Sequence, residues 1–142
     1  MEICEQNQSW AEEDGDLVFS HTKIILREGD QYYYTSTSRR YPDDGKADLQ
    51  GLDIVPIQAS HIWPPFQAQL GRAPEPLPQD YYVKQPRLID YISTSTGFGD
   101  LLLHEAEVCE ILRASPHPNI AQYLGLSQIV TKQGRFHMAN SY

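Results

Sequence analysis

Apolar and polar residues alternate most clearly over 16–37, DLVFSHTKIILREGDQYYYTST. Two β-rich runs, HTKIIL and QYYYTST, flank REGD, which has the character of a hairpin turn. Tyr32, Tyr33 and Tyr34 suit a pleated, partly buried surface. Pro42, Asp43, Asp44 and Gly45 mark a loop over 38–51. LDIVPI (52–57) reads as a further strand, which Pro56 pushes to a sheet edge. Upstream, residues 1–22 carry Glu2, Glu5, Glu12, Glu13, Asp14 and Asp16 and no Lys or Arg. That pattern predicts a solvated, loose acidic head.

The pattern then changes. Residues 63–86 hold six of the ten prolines. Proline fixes φ and removes a backbone donor, so regular structure is not expected through APEPLP. The stretch is either a linker between modules or an extended strap anchored by Trp63 and Phe66. YYVKQPRLIDYI (81–92) is β-rich. STSTGFGD (93–100) reads as a flexible loop offering Asp100 as a helix N-cap. From Leu101 the period is helical, with Leu101, Glu105, Val108, Cys109 and Leu112 on one face. Pro116 and Pro118 stop the helix, and NIAQYLGLSQIV returns to strand character. The order is strand, helix, turn, strand.

Composition narrows the function classes. The chain has 142 residues, net charge −8 and 40% hydrophobic residues, with pI about 4.9 and mean hydropathy −0.50. Such a charge argues against a nucleic-acid surface, which needs a basic patch, and against an anionic membrane face. No apolar run approaches the roughly 20 residues of a membrane helix. Cys4 and Cys109 fit no metal or redox spacing. The expected location is intracellular, cytoplasmic or nuclear. His104 and Cys109 diverge on the helix and make no metal site. His117 reads as a turn residue. The hydroxyls of Ser93, Thr94, Ser95 and Thr96 form a loop that could accept phosphate.

One position breaks the helical pattern. Glu105 falls on the expected apolar face, and a carboxylate aimed at a core needs a partner. The nearest upstream strand residue able to supply one is Lys84, in YYVKQP. A strand lysine held by a helix glutamate is the arrangement with which protein kinases orient the α- and β-phosphates of ATP.

The words EAEVCEILRASPHPNIAQYLG then acquire a context. They resemble the helix-C to strand-4 segment of the protein kinase fold. IWPPF, RAPEPLPQDYYVKQPRLIDY and CEIL followed by HPNI are similar to the kinase-like proteins of mushroom-forming fungi. The resemblance covers 62–126, fades over SQIVTKQGRFHMANSY, where relatives continue into strand 5, and is faint over 1–61. It implies that Lys84 and Glu105 are a nucleotide-orienting pair, with Glu107 the second choice for the glutamate and Glu110 the third. It implies ATP, with Mg, as the cofactor. Departures accompany it. Only Gly71 stands in the run before Lys84 where a Gly-rich loop belongs, and the TGFGD glycines follow the lysine. No H-R-D with its Asn and no D-F-G occurs, so the catalytic base and metal ligands are not supplied.

The expectation is therefore an α+β fold. A partial kinase N-terminal lobe at 81–142, truncated after strand 4, would carry one main helix at 101–114 on an antiparallel sheet. A β-containing extension (1–62) and a proline-rich linker or strap (63–80) precede it. The function expected is a kinase-like N-lobe unable to transfer phosphate alone. The alternative is a non-catalytic, pseudokinase-like module whose exposed sheet face meets a protein partner or a missing C-terminal lobe.

Overall fold

The REGD turn closes a hairpin between β2 (Asp16–Glu28) and β3 (Gln31–Thr37) in a computed structural model of the chain. Gly29 takes the positive φ of 58° that such a two-residue turn requires. The structure describes residues 1–142 other than 43–45, 66, 77, 85, 96, 130–134 and 142. The fold is α+β, in two units: Met1–Ala59 with Arg87–Ser93, and Ser60–Pro86 with Thr94–Tyr142.

The first unit is a four-stranded antiparallel sheet of order β1-β2-β3-β4. Here the acidic head departs from expectation. Residues Glu2–Glu13 are strand β1, paired along β2 from Glu2↔Arg27 to Glu13↔Asp16. The turn between them is Asp14–Gly15, both at positive φ (53° and 85°), the geometry for which Asp-Gly is selected. Charge did not prevent pairing because the acidic side chains have uses. Glu2 pairs with Arg27 at 2.9 Å, and the Glu5 carboxylate accepts the backbone N–H groups of Leu88 (2.8 Å) and Ile89 (3.1 Å). As anticipated, β4 (Val55–Pro56) is an edge strand, with Pro56 opposite Tyr33.

Ile24, Ile25 and Leu26 are successive and fully buried. Neighbouring residues on a strand face opposite ways, so β2 is covered on both faces. Residues 87–93 cover one. Their 3₁₀ turn, Leu88–Asp90, packs on β1 and β2. Lys23 Nζ donates to the Tyr91 carbonyl, and the rings of Tyr34 and Tyr91 stand 5.7 Å apart. Burial pushes the Lys23 ammonium below its usual range, against the attraction of Asp90 and Glu5. On the other face, Gln8 Nε2 donates to Tyr41 O at 2.6 Å and Gln6 Nε2 to Pro42 O. The run 81–92 is thus not one strand. Strand β5 stops at Lys84, shortly before Pro86, and Arg87–Ser93 belong to the first unit.

The second unit begins with a short helix α1, Ala59–Ile62, whose first residue is grouped with the first unit. It contains α2 (Gly97–Arg113) and an antiparallel sheet of order β5-β7-β6, with β5 at Tyr81–Lys84, β6 at Gln122–Ile129 and β7 at Arg135–Ser141. The helix starts earlier than read. GFGD enters its first turn, where Gly97 N–H donates to Ser95 Oγ at 3.1 Å. Asp100 is a first-turn residue, still favourable to the helix dipole. The buried face also differs. Gly99, Leu102 and Ala106 are buried, whereas Leu101 is 66% exposed. Counting only large apolar side chains misplaced the face, because small residues mark the close approach. An added Cβ on Gly99 would lie 3.6–3.7 Å from the backbone of Ser60, His61 and Pro64.

Residues 63–73 are built into this unit as a strap. Trp63 and Leu70 are buried; Phe66, the other expected anchor, lies outside the described residues. Arg72 bridges Leu126 in parallel. Ala73 N donates to Leu126 O (2.9 Å), and Leu126 N donates to Gly71 O (3.1 Å). The strap thereby pairs with β6 on the side away from β7. Gly125 makes this possible. At φ 121° its missing Cβ would fall 2.6 Å from Ala73 N.

Candidate functional site

Lys84 is the last residue of β5, and Glu105 lies midway along α2, one turn beyond the buried Leu102. The two side chains meet, with Lys84 Nζ donating to Glu105 Oε1. The face argument that singled out Glu105 does not hold, since Glu105 borders the buried stripe and its side chain is 42% exposed, that of Lys84 45%. The pair is nonetheless the one the sequence brought forward. The other candidates point elsewhere. Glu107 stands 3.9 Å from His104 Nδ1, and Glu110 is 3.7 Å from Arg113.

Cys109, one turn after Glu105, adjoins the pair. Burial pushes its thiol up, Glu105 adds to the rise and Lys84 opposes it. The protonated thiol therefore predominates at neutral pH and behaves as a packing group, not a nucleophile. Among the described residues no group of three or more His, Cys, Asp or Glu is placed to hold a metal ion, and no helix is long and apolar enough to cross a membrane.

A second locus escaped the sequence. Where α2 ends, the turn 114–121 leads into β6 and leaves a cleft of about 320 Å³. Tyr123 closes one wall. It is 4% exposed, its hydroxyl donates to Leu70 O at 3.2 Å, and burial pushes its phenol far above the usual range. The signal was present in Pro116 and Pro118, which end the helix and line the cleft, but they register as a stop signal and not as a wall.

No family model, no curated protein and no solved structure matches the chain.

Proposed function

We propose that residues 81–142 form a protein kinase-like N-terminal half-lobe in which Lys84 is the phosphate-facing cation and Glu105 its orienting partner. The observation that carries this reading is the Lys84–Glu105 contact between a strand and the helix that follows it. The order β5, α2, β6 supports it, because strand 3, helix C and strand 4 are the parts the sequence resembles; β7 is a further strand past the expected truncation after strand 4, and it pairs with both β5 and β6. A half-exposed ammonium fits the polyphosphate of a nucleotide. The metal ion is a different matter. No H-R-D or D-F-G occurs, and the described residues gather no carboxylate cluster. Phosphoryl transfer depends on positioning metal and acceptor, so these residues bind nucleotide at most weakly and do not transfer phosphate alone.

Titration calorimetry of residues 1–142 with Mg·ATP tests the reading. Weak saturable binding that disappears in Lys84→Met supports it, and equal affinity in that variant removes Lys84 from the assignment. A second reading, a non-catalytic interaction module, is favoured by the exposure of Leu101 (66%) and Ile111 (73%) on α2. It predicts oligomers and a melting temperature indifferent to nucleotide.

A further inference from the structure

We propose that the cleft between the C-terminal end of α2 and the start of β6 is a binding site for a small aromatic carboxylic acid. Its size, about 320 Å³, lies within the ~300–1,000 Å³ of small-molecule sites. The lining is mainly apolar: Leu112, Pro116, Ile120 and the ring of Tyr123 supply much of it. Leu112 and Ile120 are 45% and 54% exposed, so an inserted ring removes apolar surface from water at the wall as well as its own. The Tyr123 hydroxyl is held by Leu70 O, which makes this wall rigid before any ligand arrives, and preorganisation favours binding.

The polar groups decide the ligand's charge. Arg113 lines the cleft, and its contact with Glu110, at 3.7 Å, is beyond hydrogen-bond range. The guanidinium fork thus retains donors with which to receive a carboxylate. His117 adds another. Its Nδ1 accepts the Asn119 N–H at 3.2 Å, so the neutral ring carries its proton on Nε2 as a donor. The helix end itself opposes an anion. That opposition is blunted because the carbonyls of Ile111 and Leu112 already accept N–H groups from Ala114 and Ser115. Two donor-bearing residues among the lining of a mainly apolar cleft suit a ligand that carries one carboxylate on one aromatic ring.

The test is calorimetric titration of the full chain with 2-naphthylacetate and with its neutral counterpart, 2-naphthylacetamide. The acid is expected to bind about tenfold tighter than the amide, as a charge-assisted hydrogen bond implies. Arg113→Gln should bring the acid down to the amide's affinity. Ala121→Phe, which fills the cleft, should abolish both; Leu112→Trp, at an exposed wall position, fills it from the other side if Ala121→Phe does not fold. Backbone amide shifts on titration should concentrate within 109–123. Equal affinity for acid and amide, or binding untouched by the filling variants, overturns the proposal. So does a dimer that the acid dissociates, since the cleft's occupant would then be a second copy of the chain.

Discussion

Lys84 Nζ donates to Glu105 Oε1, joining a strand residue to a helix residue 21 positions later. Both side chains are more than 40% exposed, and exposed ion pairs contribute only ~0–1 kcal/mol. Lys84→Met should therefore leave the denaturation midpoint nearly unchanged while removing the nucleotide binding proposed above. Chemical denaturation of the variant, run beside the Mg·ATP titration, separates the two effects. A loss of several kcal/mol would assign the pair a structural role.

Gly125→Ala should be among the most damaging substitutions in the second unit. Its Cβ would lie 2.6 Å from both Ala73 N and Arg72 C, and φ is 121°. Backbone strain alone costs ~1–3 kcal/mol, and the strap must move besides. Thermal unfolding should show the loss, and hydrogen exchange at the Ala73 amide, which bonds Leu126 O, should accelerate. Gly15→Ala, at φ 85° with open space around it, should cost less, about 1–2 kcal/mol.

Tyr123 makes stability pH-dependent on the alkaline side. Its phenol is pushed above the ordinary value of 10.0 by burial. In the unfolded chain the proton leaves near that ordinary value, while in the folded chain it is retained. The contribution is thus fully present below pH 10 and is lost as pH rises towards the folded value. Tyr123→Phe should be less stable at neutral pH by about 1 kcal/mol, from the lost bond to Leu70 O. Its stability should also fall less steeply above pH 10. Urea midpoints of both proteins from pH 7 to 11 would check this, and parallel curves would refute it.

Glu5→Ala should loosen the first unit by ~1–3 kcal/mol, because two backbone N–H groups, those of Leu88 and Ile89, lose their acceptor. Glu5→Gln retains one acceptor oxygen and should fall between. Exchange rates of the Leu88 and Ile89 amides report the effect directly.

These sites differ in how far the chain's pattern revealed them. The β2–β3 hairpin was legible because alternation and turn chemistry agree locally. So was the existence of α2, though not its buried face, where only Leu102 is a large apolar residue and its companions are the small Gly99 and Ala106. Strand β1 was obscured by its carboxylates, although Asp14–Gly15 is a strong hairpin signal. The function of Glu5 could not be read, since its partners lie 83 and 84 residues away. Lys84 and Glu105 were singled out by a helical face that the structure redraws and by a resemblance of wording, and they meet although that face does not hold. The strap's pairing with β6 rests on a missing side chain at position 125, and no hydrophobic pattern registers an absence.

Because 87–93 covers a sheet begun at residue 2, the chain visits each unit twice. Order of synthesis follows from this. A ribosome that has delivered all four strands of the first unit has not yet supplied the groups that Glu5, Lys23 and Tyr34 engage. They arrive only after the strap and β5 have emerged. The first unit thus waits, with one face of β2 uncovered, until residue 93 is free, and in that interval the nascent chain has most need of protection from aggregation.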